Sequence, residues 1–488
     1  MLQLKAGIAK TEITNREERI QDPLYAKVLI LADGEKSIAW ISLDCICLGG
    51  GIGGFSDGVF SRIKEAAKES GVDFVLCGTT HTHTPCGMMT VGETELVARI
   101  KATVAEAAAN MRPVTVGYGE GHENSFCINR TLRLKDGTDC TIRQAHPFPW
   151  DGDFAEIPYY DDTVRVLKID GLDGTPFCVL FSYGCHPLLG YANNYITANF
   201  PGIAEQLIHR ETGAMSMFFQ SCGGDVTETD YKNYDRPKNC EAAGTALGLE
   251  VLHVLKHIQT GTLPLYAAEE PVQLPLRQDF AEERSALLDQ REQILNALAG
   301  CPLNFEAFLP LYMKYLVSPE YPLGHAYEYR KEEQDGKSQL RDQDVINRRN
   351  IAGYLANMRA MEAICKINAC LETLAWHEQH NASYGTDTVP AEILGVRIGD
   401  AILVTAPVEP LSEIANRVRK LSSLPQTSVI GYANGYYHYG APPEAYHNGG
   451  YETVECMLAP EWETIYEETV QRILNRLTDM DRSGAQRM

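Results

Sequence analysis

Short apolar runs alternate with longer stretches of helical periodicity along most of this chain. Runs rich in β-branched and aromatic residues predict strands, some of them next to Gly-containing turns, at 27–31, 38–43, 162–169, 177–182, 392–406 and 428–431. Apolar residues at the spacing of one helix face predict helices at 55–69, 93–111, 198–212, 240–260 and 461–477. This mixture predicts an α/β fold class with a mixed β-sheet core flanked by helices.

The stretch from 278 to 385 has a different pattern. It is rich in charge, Leu and Ala, and segments 282–299 and 344–377 predict long amphipathic helices. We therefore divide the chain into a main body at 1–277, a helical insertion at 278–385, and a return to the main body at 386–488. Such an insertion either packs against the body or acts as a lid over a pocket, and packing is favoured.

Composition and charge exclude several classes of protein. The chain has 488 residues and a formal net charge of -22, which disfavours nucleic acid and anionic membrane surfaces as partners. No apolar run reaches the roughly 18 residues of a membrane span. Lysines interrupt the first ten residues, so we expect no signal peptide and a cytoplasmic protein. The 14 cysteines include no CxxC pair, which favours reduced thiols over a disulfide framework or a zinc ribbon. A small-molecule substrate is expected, and a homo-oligomer is left open.

The segment with the most chemical information is Thr79–Gly87, which holds His81 and His83. The preceding apolar run, 74–77, predicts a strand that ends at this pair. Because residues i and i+2 of a strand share a face, we expect both imidazoles to point at one spot. Neutral imidazole is a common zinc ligand, although a His-x-His pair alone is more often structural. A thiol mechanism through Cys86 is an alternative, and a small apolar role beside the site is favoured for it.

Other polar groups also follow predicted strands. His186 ends the run 178–185, and Glu409 lies in a Pro-flanked loop after the strand that ends near Ala406. An aromatic loop occupies 431–440, and a Gly-Gly pair follows the apolar run at 218–219. Each of these signals is weak alone. In layered α/β folds, however, active sites gather at such strand ends.

Taken together, these segments resemble the neutral, non-lysosomal ceramidase family. The similarity lies in seven short pieces that occur in the same order, at 7–14, 23–27, 80–84, 128–130, 186–187, 224–227 and 433–446. It covers most of the chain apart from the region at about 278 to 380. The resemblance implies a ceramidase-like catalytic domain carrying a helical insertion, with the last segment of the chain completing a metal site.

The resemblance also implies roles for individual residues. In that family one zinc ion, Zn2+, is held by two His, one Glu and one Tyr, and the matching residues here are His81, His186, Glu409 and Tyr439. The expected catalytic residues are His83, Arg130 and Thr227. The expected substrate-binding residues are Asn129, Gly224, Asp225 and Tyr436. Two positions depart from the family pattern, since Thr227 replaces a Ser and Val408 replaces a Gly.

The implied function is a zinc-dependent hydrolase that uses a metal-activated water, most simply on the amide C–N bond of an N-acylated substrate. One alternative is a metal-dependent hydrolase of a soluble glycoside or ester. Another is a non-catalytic binding protein on the same scaffold. We expect the protein to lack the family's secretion signal and carboxy-terminal immunoglobulin-like domain. The substrate therefore stays open between a lipid amide and a sugar or small metabolite.

Overall fold

The computed structural model describes residues 3–84, 88–143, 146–190, 194–236 and 238–485. Contacts divide them into two compact units. The first comprises the described residues up to Arg143, from Phe148 to Gln278, and from His377 onward. The second consists chiefly of Asp279–Trp376. Among the described residues, no helix is both long and apolar enough to cross a membrane.

Strands and helices alternate through the described chain. The strands are β1 (Lys5–Glu12), β2 (Tyr25–Ala32), β3 (Ser37–Leu43), β4 (Phe74–Thr79), β5 (Arg112–His122), β6 (Cys127–Asn129), β7 (Thr131–Leu134), β8 (Asp139–Thr141), β9 (Phe154–Glu156), β10 (Thr163–Gly171), β11 (Pro176–Tyr183), β12 (Met215–Gln220), β13 (Val226–Glu228), β14 (Leu265–Pro275), β15 (Thr388–Ile398), β16 (Ala401–Thr405), β17 (Glu409–Pro410), β18 (Thr427–Ile430) and β19 (Tyr439–Gly440). The helices are α1 (Val59–Lys68), α2 (Glu93–Ala109), α3 (Asn199–Thr212), α4 (Glu241–Leu255), α5 (Phe280–Asn296), α6 (Phe305–Val317), α7 (Ala326–Gln334), α8 (Gln339–Ser383), α9 (Ser412–Leu421), α10 (Pro443–Asn448), α11 (Tyr451–Val454) and α12 (Trp462–Ala485).

The first unit is built around two mixed sheets. The larger has eight strands in the order β12-β11-β10-β5-β1-β2-β3-β4, and the smaller has the order β14-β15-β16-β18. Helices α1 to α4 pack on one face of the larger sheet, and α9 and α12 pack on the smaller sheet. The side chains of the two sheets meet in one shared core. The predicted α/β class with flanking helices is confirmed, in the form of four layers: helices, sheet, sheet, helices.

The layering explains why the central strands are apolar along their whole length. In β2, Val28 and Ile30 point into the core beneath α1 and α2. Leu29 and Leu31 point into the core between the sheets. A strand covered on both faces has no polar side, so its sequence is a continuous apolar run without alternation.

One predicted strand, at 392–406, is in fact two. β15 and β16 pair antiparallel, with Ile398 opposite Ala401. Gly399 lies between them with a φ of 61°, a left-handed conformation that glycine adopts without steric cost. Both strands are buried and therefore apolar, so the sequence reads as one apolar segment across the turn.

After residue 278 the described chain forms four helices in succession, α5, α6, α7 and α8. The second unit has its own small core around Phe308, Tyr315 and Ile351. On either side of it in sequence, β14 and β15 pair antiparallel in the first unit, from Leu265 opposite Ile398 to Pro275 opposite Thr388. The body is therefore continuous across the insertion.

A buried ion cluster formed by residues of β2, of the segment after β3 and of α3 leads to a stability prediction. Lys27 Nζ lies 3.0 Å from Asp44 Oδ1 and 2.6 Å from Glu205 Oε2, and all three side chains are buried. We expect Lys27→Ala to lower the free energy of unfolding by about 3 to 5 kcal/mol, because it leaves two buried carboxylates without their cation. Urea denaturation measures this change, with exposed Lys5→Ala as the matched control. A loss no larger than that of the control would contradict the prediction.

Candidate metal centre

The candidate site lies where one loop forms hydrogen bonds with the ends of both edge strands of the larger sheet. The amide of Thr79, at the end of β4, donates to the carbonyl of Tyr432 at 3.2 Å. The amide of Gly431 donates to the carbonyl of Gln220, at the end of β12, at 3.0 Å. The loop between β18 and β19 therefore carries its aromatic residues to the ends of both edge strands.

Two histidines present their Nε2 atoms to this point. His81 Nδ1 lies 2.7 Å from the carbonyl oxygen of Ile46, and His186 Nδ1 lies 2.7 Å from that of Gly223. A carbonyl only accepts, so each Nδ1 carries the proton and each Nε2 keeps its lone pair. Backbone carbonyls commonly fix metal-ligating histidines in this way.

The strand-alternation argument for His81 and His83 is wrong, although the two side chains do converge. β4 ends at Thr79, and His81 has a left-handed φ of 60°. The two rings come together edge to face, with Nε2 atoms 3.1 Å apart. A sharp loop, and not a pleated strand, brings them together.

Oxygen donors complete the cluster. Glu409 Oε2 lies 3.4 Å from His81 Nε2 and 3.1 Å from His186 Nε2. Tyr439 Oη lies 3.2 Å from His186 Nε2. Ligand atoms around a tetrahedral zinc ion with bonds of about 2.0 to 2.1 Å are about 3.3 Å apart, and these separations match that spacing.

The environment of Glu409 also fits a cation. Its Oε2 atom is buried and has no hydrogen-bond partner among the described residues. It faces the Nε2 lone pairs of His81 and His186, so three electron-rich atoms surround one point. A divalent cation there would satisfy all three, and a set of two imidazoles with a carboxylate suits zinc.

His83 is close enough to serve either as a ligand or as a proton carrier. The imidazoles of His81, His83 and His186 offer nitrogens within 4.8 Å of one another. Burial, together with the neighbouring imidazoles, lowers the pKa of His83 well below its usual value. Burial and the nearby Arg130 guanidinium lower the pKa of His186 to about 4. Both rings are therefore neutral near pH 7, as ligands and general bases must be.

Arg130 holds Tyr439 in place. Its Nη2 donates to Tyr439 Oη and to the carbonyl of Gly224, each at 2.8 Å, and its Nε donates to Glu452 Oε1 at 2.8 Å. Burial raises the pKa of the Tyr439 phenol well above its usual value, and the Arg130 charge acts in the opposite direction. Tyr439 therefore keeps its proton unless a cation displaces it. Arg130 is the group that favours the phenolate.

Two further tyrosines surround the centre. Tyr436, predicted to bind substrate, donates its hydroxyl to Glu409 Oε1 and so orients that carboxylate. The Tyr432 ring packs 4.3 Å from the ring of His81. Tyr432 was missed as an individual residue, because a tyrosine in an aromatic loop is usually a packing residue.

The remaining predicted residues lie beside the centre and are Asn129, Gly224, Asp225 and Thr227. Both Asp225 carboxylate oxygens are occupied, Oδ1 by the amide and hydroxyl of Ser412 and Oδ2 by Asn129 Nδ2 at 2.9 Å. The Gly224 amide donates to the carbonyl of Pro410 at 3.0 Å. Thr227 forms a backbone bridge with His186. Through these contacts the four residues hold neighbouring segments together. Their predicted contacts with substrate stay predictions.

Asn129, Asp225 and Glu452 also line a cavity of 180 Å³ beside Arg130. Glu452 was missed by the sequence analysis, because a glutamate near the carboxyl terminus is usually solvated. Cys86 lies outside the described residues. No disulfide joins the cysteines of the described ranges.

Comparisons with known proteins bear on the fold. No family model matches the sequence, and no curated protein matches it. The crystal structure of neutral ceramidase from Pseudomonas aeruginosa matches with a TM-score of 0.61 at 16% identity, over 98% of this chain and 75% of that chain. A structure of ceramidase complexed with C2 matches with a TM-score of 0.60 at 15% identity, over 98% of this chain and 76% of that one. The resemblance expected from the sequence is thus confirmed at the level of architecture: the chain has the fold of neutral ceramidase.

Proposed function

We propose that this protein is a zinc-dependent hydrolase that cleaves the amide C–N bond of an N-acylated substrate. The observation that carries the proposal is the buried Glu409 Oε2, which faces the Nε2 atoms of His81 and His186 at 3.4 and 3.1 Å. Such a donor set, with Tyr439 beside it, supports a catalytic metal more than a structural one, because a closed structural zinc site is rich in thiolates.

The residues around the donors have separate tasks in this proposal. A bound zinc ion supplies Lewis acidity, which makes water nucleophilic near neutral pH. His83 takes the proton from the attacking water at Nε2 and passes it to the leaving amine. Its low pKa keeps the imidazole neutral before the reaction.

Arg130 and Tyr436 prepare the ligands. Arg130 donates to Tyr439 Oη at 2.8 Å and Tyr436 donates to Glu409 Oε1, so the two oxygen donors are fixed before substrate arrives. Fixed donors lower the cost of reorganisation when charge develops on the reacting carbonyl. The geometry therefore favours attack on a polarised carbonyl group, as amide cleavage requires.

A substrate panel tests the bond that is cleaved. The zinc-loaded chain is assayed against N-acyl amines with short and long acyl groups, against esters of the same acids, and against glycosides. We expect turnover of the N-acyl amines that is abolished by a chelator and restored by zinc. Turnover confined to glycosides, or turnover that survives the chelator, would contradict the proposal.

A further inference from the structure

A second cluster of metal-ligating side chains lies in the first unit, outside the proposed centre. His377 lies near the end of α8, His438 lies just before β19, and Glu455 follows α11. Each offers one ligand atom, and the three atoms lie within 4.8 Å of one another. The two histidine side chains are at most 5% exposed and that of Glu455 is 14% exposed. Two imidazoles and a carboxylate from three separate elements thus meet in the interior.

Hydrogen bonding orients one of these imidazoles toward the carboxylate. His438 Nε2 lies 2.7 Å from the carbonyl oxygen of Gly50, so this nitrogen carries the proton. The lone pair of His438 Nδ1 then faces Glu455 Oε2 at 3.8 Å. His377 Nε2 donates a hydrogen bond to the same oxygen at 2.9 Å, and a bound cation would take the place of that proton. A lone pair thus faces a carboxylate oxygen, an arrangement that a cation stabilises.

We propose that His377 Nε2, His438 Nδ1 and Glu455 Oε2 bind a second metal ion of the zinc class. Two imidazole nitrogens favour zinc or a similar transition metal over magnesium or calcium, which prefer oxygen ligands. The separations of 2.9 and 3.8 Å bracket the about 3.3 Å expected between ligands of a tetrahedral zinc ion.

This ion is distinct from the one proposed at the catalytic centre. The Tyr436 side chain lies between the two groups, with its hydroxyl on Glu409 and its ring 5.2 Å from the ring of His438. Because a whole aromatic ring separates them, the two ions do not share a ligand or a substrate atom. The second ion joins the end of α8 to the loop that carries Tyr436 and Tyr439. Its binding does not depend on the reaction proposed above.

Metal counting in the intact chain tests this site. The wild type and variants are saturated with zinc, dialysed against metal-free buffer and analysed by mass spectrometry for zinc per chain. We expect two ions in the wild type and one in His81→Ala, because that variant loses only the catalytic ion. Zinc retained by His81→Ala therefore reports on the second site, whatever the protein catalyses.

Variants of the second cluster complete the test. Glu455→Gln keeps the shape of the side chain and removes its charge, and we expect it to lose one ion, as should His377→Ala. In combination with His81→Ala, either substitution should leave none. His380→Ala, which replaces another histidine near the end of α8, is the matched control and should keep two.

Three results would overturn the proposal. They are a His81→Ala variant without zinc, a Glu455→Gln variant that keeps both ions, and a His380→Ala control that loses one. Circular dichroism confirms that each variant is folded. The Glu455→Gln arm keeps the test decisive if His377→Ala does not fold.

Discussion

Replacing His81 with alanine should remove the proposed catalytic ion and lower kcat/KM by about four orders of magnitude, since a Lewis acid of this kind supplies several kcal/mol to the transition state. The substitution deletes one Nε2 lone pair and leaves Glu409 Oε2 facing only His186, at 3.1 Å. Zinc content and turnover of an N-acyl amine, measured on the same preparation, check this result.

The matched control is His209→Ala. His209 is an exposed histidine on α3 whose Nδ1 lies 2.9 Å from the carbonyl oxygen of Ala214. It should keep wild-type zinc content and activity. Full zinc content and turnover in His81→Ala would remove His81 from the ligand set and, with it, the proposed centre.

The variant His83→Ala should show whether His83 is a metal ligand or only a proton carrier. If His83 only moves protons, the variant keeps its zinc and loses about two to four orders of magnitude in kcat, the usual contribution of a general base. The fall should persist at pH values below the usual imidazole pKa, because burial lowers the pKa of His83 and keeps the wild-type imidazole neutral there. Zinc content together with a pH profile of kcat measures both effects.

The alternative role for His83 is that of a metal ligand. His83 Nε2 lies 3.1 Å from His81 Nε2, a separation that also fits a shared ion. Loss of zinc in His83→Ala would make it a ligand, and unchanged kcat would exclude it from proton transfer. His83→Gln is the control for side-chain volume.

The fold class followed from the sequence because its signals are local. A buried strand such as β2 is apolar on both faces, and an amphipathic helix such as α2 shows its period within one segment. The strand order was not predictable in the same way. β14 pairs with β15 across the whole helical insertion, and no local pattern encodes such a distant partner.

For the candidate site, too, some features followed from the sequence and others did not. Resemblance to a family located His81, His186, Glu409 and Tyr439, which the structure brings together. Strand periodicity gave the wrong reason for the convergence of the histidines, because the left-handed turn at His81 cannot be deduced from alternation. The cluster at His377 escaped notice because its members are far apart in sequence and each one is unremarkable alone.

The loop that carries Tyr432 has a consequence for aggregation. Edge strands expose unpaired amides and carbonyls, which can recruit strands of other chains. On β4, Asn434 occupies such groups: its side chain accepts from the Cys77 amide at 2.8 Å and donates to the Val75 carbonyl at 3.1 Å. Gly431 binds β12 in the same manner, through the carbonyl of Gln220. The segment that assembles the candidate centre therefore also occupies hydrogen-bonding groups on both edge strands of the larger sheet, and damage to it would expose those groups together with disrupting the centre.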